Sequence, residues 1–454
     1  MSAPSTGGGE PITDRRQLIE YFDAACKPKQ QWRLGTEHEK FVFRQSDNRP
    51  PAYDDARGIR AFLEGLERFG WTPLHEDDKP IALAHGGCHI TLEPGGQLEL
   101  AGAPLDNVHQ ACDEVHTHLA QVKEVAAELD LGLIGLGFIP EGRREDIPWM
   151  PKQRYEVMRR YMPQVGSLGL DMMLRTCTVQ VNLDYASEAD MIRKFRVGLA
   201  LQPVATALFA NSPFTEGQPN GFLSYRSQIW TDTDNDRCGM LPWAFKEEMG
   251  FERYAEFALD VPMYFVYRDG RYVDAAGQSF RDFLDGKLPA LPGERPLLSD
   301  WDAHLTTIFP EVRLKRFMEM RGADGGPWRR LCALPALWAG LCYDAPSLEA
   351  AWALVRDWRV EEQDELRRQV PRTGLKTRFR RHDLRHVARD VLEIALDGLK
   401  ARRRLGESGR DEQQFLEQLV EIAESGQTAA DHLLSLYHGP WKQSVKPIYE
   451  EFAY

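Results

Sequence analysis

The strongest constraint on this chain is a period of two. Four short regions, one of them a two-strand hairpin, alternate apolar with polar residues, and their polar positions are mostly carboxylates and amides. Side chains at i and i+2 of a strand share a face. In the segment 35–43, Glu37 and Glu39 therefore point the same way. Segments 89–93 and 97–100 flank the turn Pro94-Gly95-Gly96 and bring Glu93 near Gln97 and Glu99. In 178–184, Gln180, Asn182 and Asp184 lie opposite Val179, Val181 and Leu183. In 317–321, Glu319 and Arg321 alternate with Met318 and Met320, and a turn-rich stretch, 322–327, follows. A polar face turned to water is the ordinary reason for such alternation. Water-facing strands, however, mix Thr, Lys, Arg and Glu, whereas here Glu dominates in short strands flanked by glycines.

Between these strands the apolar spacing turns helical. Val108, Cys112, Val115, Leu119, Val122 and Leu129 form a stripe within 105–129, with Asp106 as the expected N-cap. Segments 191–209 and 347–358 read as helices, and 383–436 is helical and charge-rich. Strands far apart in sequence with helices between them predict an α+β fold on an antiparallel sheet, with one apolar face and one acidic face. No clean linker interrupts the chain. The expected organisation is a disordered tail over 1–11 and one catalytic domain over 12–454, helical from about 345 onward.

Charge and thiols narrow the function. The 56 basic and 69 acidic residues leave a net charge of −13, which argues against a general nucleic-acid binder. No apolar run approaches the roughly 18 residues of a membrane span. The opening Met1–Glu10 lacks the apolar core of a signal peptide. Seven scattered cysteines without a Cys-x-x-Cys pair read as buried thiols in a reducing compartment, so a cytoplasmic protein is expected.

Clustered carboxylates repel one another unless arginines, protons or metal ions offset them. An oxygen-rich set suits a hard cation, and magnesium held by a few carboxylates plus substrate phosphates is the natural candidate. Arg154, Arg226, Arg313, Lys315, Arg316, Arg329 and Arg330 are the basic residues that could meet phosphate or carboxylate. The glycines of 322–327 lack the Gly-Lys-Ser/Thr ending of a P-loop. His85, Cys88 and His89 have no second ligand pair for zinc. Nucleophile-elbow and HExxH motifs are absent from the sequence.

The chain resembles the glutamate–cysteine ligases of the plant and proteobacterial type. The most specific stretches are Leu34–Phe41, Met173–Leu183, Phe209–Phe222, Tyr225–Arg237, Asp260–Tyr267 and His304–Leu334, and the likeness runs from about Pro11 to Tyr454. The resemblance implies a glutamine-synthetase-like fold whose sheet cups ATP, two or three magnesium ions and glutamate. It implies metal ligation by Glu37, Glu39, Glu93, Glu99 and Glu319, with Gln180 where a more distant branch uses histidine. It implies substrate and phosphate roles for Arg154, Arg226 and Arg321, and nucleotide contacts for Arg313, Lys315 and Arg330. The implied reaction joins the γ-carboxylate of glutamate to the amine of cysteine through an acyl phosphate. A monomer or weak homodimer with no nucleic-acid or membrane partner is expected. The residues leave open a ligase with another amine acceptor, a guanidino kinase and a non-catalytic binding protein.

The sequence departs from the plant members at one point. They carry a redox-linked cysteine pair in the regions matching Val273–Ala275 and Pro289–Ala290, where this chain has Ala275 and Ala290. Cys112 and Cys332 fall where some plant members hold a second pair. Because Cys112 lies on an apolar helix stripe, both are expected to be buried core thiols with weak or no thiol regulation.

Overall fold

The computed structural model describes residues 8–454. Of the tail expected to be disordered, residues 1–7 lie outside the described residues, while Pro11 bridges Leu297 and the Glu10 carbonyl accepts the Leu298 N–H.

The main sheet has nine strands among the described residues: β1 (Leu34–Arg44), β2 (Thr72–Glu76), β3 (Lys79–His85), β4 (Cys88–Leu92), β5 (Leu98–Ala101), β6 (Leu131–Ile134), β7 (Thr178–Leu183), β8 (Val312–Leu314) and β9 (Met318–Asp324). Their order is β8-β9-β7-β1-β5-β4-β3-β2, with β6 on the far end of β1. Every pairing is antiparallel. All four regions of alternating sequence form strands of this sheet, and three of them, β9, β7 and β1, lie side by side.

Register turns the alternation into a continuous face. Glu37 pairs with Gln180 and Glu39 with Glu99. Glu99 also pairs with Thr91, Asn182 with Glu319, and Glu319 with Arg313. Residues directly opposite in a ladder share a face, so these side chains form one polar front. Behind it, Val179, Val181, Leu183, Met318 and Met320 are buried. That back is covered by α1 (Val108–Glu128), α4 (Glu188–Phe209) and α6 (Trp328–Cys342). α2 (Gln153–Val165), α3 (Gly169–Arg175) and α5 (Tyr225–Ile229) carry residues to the front. The C-terminal region is helical, as expected, and includes α7 (Leu384–Arg402), which packs on α6.

Two local features differ from the expectation. The first helix is capped by Asn107, whose side chain accepts the Gln110 N–H, and not by Asp106; the shift is one residue, and Asn caps as well as Asp. Strand β9 is bulged between Met320 and Ala323. One extra residue there changes which side chains face front. α4 satisfies the backbone this frees: Gln202 Oε1 accepts the Gly322 N–H at 2.8 Å, and Thr206 Oγ1 donates to the Gly322 carbonyl at 2.8 Å. A Cβ on Gly322 would stand 2.4 Å from Gln202 Oε1, so a larger residue there would push Gln202 off its hydrogen bond.

Cys112 and Cys332 are joined by a disulfide that ties α1 to α6 across 220 residues of sequence. The expectation of two free core thiols is thus corrected: both are buried, but as a bond. The stripe that buries Cys112 faces α6, and the Cα atoms stand 5.3 Å apart, within the reach of a disulfide. No helix of the described residues is long and apolar enough to cross a membrane.

Candidate active site

A cleft opens on the polar front of the sheet. Glu39, Glu93, Glu99 and Gln180 line its floor, and Arg154, Arg226, Arg313 and Arg321 stand around it. The sheet supplies the acids, while Arg154 comes from α2 and Arg226 from α5.

The carboxylates fall into two classes. Glu39, Glu93 and Glu99 form an acidic side. Burial pushes the Glu39 carboxyl well above the usual carboxylate range, and the charges of Glu93 and Glu99 push it further; Arg226 and the Thr178 N–H oppose this incompletely. That N–H donates to Glu39 Oε2 at 2.9 Å, and Thr91 Oγ1 donates to Glu99. Glu93 sits on the turn between β4 and β5. This turn is clamped from behind, because Lys152 Nζ and Tyr155 Oη both donate to the Leu92 carbonyl, at 2.9 and 2.5 Å.

Glu319 belongs to the other class. Burial pushes its carboxyl up, but Arg313, Lys315 and Arg321 outweigh that and hold it well below the usual range. Arg313 Nε donates to it at 2.6 Å, Lys315 Nζ lies 2.7 Å away and Arg321 Nη1 3.2 Å away. Its charge is already spent on three cations, and it does not line the cleft. Lys315 is likewise held by Glu319 and does not line the cleft. Glu37 is buried beside the cleft, and its Oε1 accepts from Asn182 Nδ2 at 2.8 Å.

The arginines also differ. Arg321 Nη1 donates to Gln180 Oε1 at 2.5 Å, so Gln180 is engaged by a cation. Arg313 is further fixed by the Thr306 and Ile308 carbonyls at 2.8 and 3.2 Å. Arg226 Nη2 donates to the Arg321 carbonyl at 3.0 Å. Arg154 lies over the Phe265 ring, 5.1 Å from its centre, and its buried Nε has no hydrogen-bond partner among the described residues. Arg330 is not brought to the cleft. Buried in the first turn of α6, it donates to the Leu208 carbonyl at 2.7 Å and to Gln418 at 3.1 Å. Its place after the glycine-rich loop suggested an anion contact, but the turn of α6 points it at the end of α4.

Sequence reasoning missed the apolar wall of the cleft: Tyr155, Met158, Met172, Met173, Trp230 and Phe309. Met158 follows Arg154 on α2 by four residues, a helical spacing that would have put it near Arg154; Tyr155, one residue on, carries no such signal. The others come from α3, the C-cap of α5 and the short strand Phe309–Pro310 before β8, and no periodicity joins them.

The acidic side suits a hard divalent cation in its donor chemistry, with three carboxylates facing one cleft and too little positive charge on their own side. Among the described residues, no three His, Cys, Asp or Glu side chains stand together so as to hold a metal ion. Magnesium is commonly held through one or two carboxylates together with water and substrate phosphate, not by an all-protein cage. The opposite side, with Arg154, Arg226, Arg313 and Arg321, suits anionic substrate groups.

The chain matches a family model described as Glutamate-cysteine ligase family 2 (GCS2) over residues 33–451. It is 61% identical to a chloroplastic glutamate–cysteine ligase of Brassica juncea over 446 residues, covering 98% of this chain and 85% of that one. A chloroplastic glutamate–cysteine ligase of Solanum lycopersicum is 60% identical over 98% of this chain and 83% of its own length. A glutamate–cysteine ligase of Francisella tularensis solved in complex with AMP has a TM-score of 0.52 at 12% identity, covering 93% of this chain and 89% of that chain, and shares the fold. The chloroplastic names overturn the cytoplasmic expectation. That expectation rested on scattered thiols and an opening stretch without an apolar core, and neither property distinguishes one compartment from another.

Proposed function

Since the chain belongs to glutamate–cysteine ligase family 2 and joins glutamate to cysteine with ATP, the first step of glutathione synthesis, we propose how its cleft divides that work. The acidic side, Glu39, Glu93 and Glu99 with Glu37 beside them, would hold the two or three magnesium ions that the nucleotide requires. The arginine side receives the anions. Magnesium, when bound, neutralises the phosphates and the charge that develops as the phosphoryl group moves.

A carboxylate is a poor electrophile, so glutamate and cysteine do not condense unaided. The γ-carboxylate of glutamate attacks the γ-phosphorus of ATP, giving γ-glutamyl phosphate and ADP. The cysteine amine then attacks the acyl carbon, phosphate leaves, and the amine loses a proton. Phosphoryl transfer onto a carboxylate brings like charges together. Arg226 and Arg321 counter them from the front of α5 and β9, and Arg154, which also lines the cleft, holds a substrate carboxylate or phosphate. The apolar wall excludes water, which would hydrolyse the acyl phosphate. Glu319 keeps Arg313, Lys315 and Arg321 together as one positive block instead of ligating metal directly.

The observation that carries this reading is the split of the cleft into an under-compensated acidic side, marked by the raised Glu39 carboxyl, and an arginine side. The test is ADP release together with product mass. ADP should form fast only with glutamate and cysteine both present, and the product mass should equal their sum less one water. Fast ADP release with glutamate alone, or a stable phosphorylated product, would overturn it.

A further inference from the structure

The strand that carries Arg321 also holds a buried carboxylate that the proposed reaction does not use directly. Asp324 ends β9 and is 1% exposed. Its Oδ2 accepts the Asn211 N–H at 2.9 Å and the Ser212 hydroxyl at 2.7 Å; its Oδ1 accepts the Ser224 hydroxyl at 2.7 Å. Both serines pass the connection onward. Ser224 is the N-cap of α5, and its Oγ accepts the Ser227 N–H at 3.3 Å. Ser212 Oγ accepts the Arg226 backbone N–H at 3.2 Å. The carboxylate is seated against backbone, since a Cβ on Gly137 would lie 2.4 Å from Asp324 Cγ.

A five-residue helix is too short to hold its own position. Three observations fix α5 from outside: its cap and its first-turn N–H both rest on serines that rest on Asp324, and its arginine returns to the same strand through the Arg321 carbonyl. Strand β9 therefore grips α5 at two points, and Arg226 lies between them with its guanidinium in the cleft. We infer that Asp324 is a positioning residue that acts through Ser212 and Ser224 to fix the first turn of α5 and so aim Arg226 at the substrate anion. The inference rests on the proposed anion role of Arg226.

The experiment is a double-mutant cycle on the full chain, with turnover and melting temperature read for each variant. Asp324→Asn keeps the shape and one acceptor oxygen. It is expected to lower kcat/KM about tenfold or more in the native background, and to change it less than twofold when Arg226→Gln is already present, since residues in one network are non-additive. Ser224→Ala is expected to reproduce part of the loss, and Ser224→Thr, which keeps the capping hydroxyl, to restore it. An equal factor in both backgrounds would show a merely structural role and overturn the inference, as would Asp324→Asn within twofold of the parent. If Asp324→Asn fails to fold, the same cycle run with Ser224→Ala decides by the same two outcomes. Near-normal activity of Arg226→Gln alone would instead remove the proposed role of Arg226, so the two failures are distinguishable.

Discussion

Replacing Glu39 by Gln separates two roles that usually fall together. Glu39 is buried and faces Glu99 across the ladder, with Glu93 near. Gln keeps an oxygen for the Thr178 N–H, now at 2.9 Å, so the local backbone is preserved. Burial and the two neighbouring carboxylates raise the pKa of Glu39. A carboxyl raised on folding costs stability once the pH passes above its unfolded pKa of about 4.3. Gln carries no such cost, so at neutral pH the variant should melt at the parent temperature or higher. Turnover should move the other way. Loss of one group that stabilises developing charge costs about 10²–10³ in kcat, or about 2.7–4 kcal/mol of barrier. The magnesium concentration for half-maximal rate should rise as well. The assay is ADP release at saturating glutamate and cysteine across a magnesium titration, beside a melting curve in the same buffer. Turnover within threefold of the parent at every magnesium concentration would refute the metal role. A fall in melting temperature that tracks the loss of rate would show that Glu39 is needed for the fold instead.

Three further outcomes are expected. Burial pushes His304 down to about 4, so the folded chain holds it neutral and the unfolded chain protonates it first. Its contribution of about 3 kcal/mol is present above pH 6.5 and is lost as pH falls toward 4; His304→Gln should therefore melt with less sensitivity between pH 7.5 and 4.5, and an unchanged slope would refute the assignment. Arg330→Met should lower stability by about 2 kcal/mol in urea, from the lost charged hydrogen bond to the Leu208 carbonyl, with turnover unchanged; a fall in rate without a fall in stability would return Arg330 to the reaction. Reduction of Cys112–Cys332 should cost about 2–4 kcal/mol, seen as a lower melting temperature with reductant that is absent in Cys332→Ala.

Much of this site was legible because strand periodicity needs no neighbours to be read. The alternation of 35–43 and 178–184 put Glu37, Glu39 and Gln180 on one face, and the ladder of β1 with β7 pairs two of them directly. What alternation cannot give is how each charge is compensated. Glu319 repeats the same pattern, yet it is consumed by Arg313, Lys315 and Arg321, of which Arg313 arrives from the neighbouring strand. Arg330 is a similar case. A sequence shows that an arginine follows a glycine-rich loop, while the turn of α6 decides where it points. The apolar wall was invisible because its residues meet only through tertiary packing. The disulfide needed the crossing of α1 with α6, which brings together residues 220 apart in sequence.

The bulge in β9 has a consequence for how the sheet holds its alignment. Before it, odd-numbered Glu319 lies on the polar face, paired with Asn182; after it, even-numbered Asp324 lies on that face, paired with Thr178. The two halves of the strand are out of step. A slide of one residue along β7 would turn both halves inside out, and a slide of two would carry the kink away from the helix groups that receive Gly322. Neither move can be made in part, so β9 is pinned lengthwise, and Arg321 and Asp324, which it carries, keep a fixed spacing along the strand.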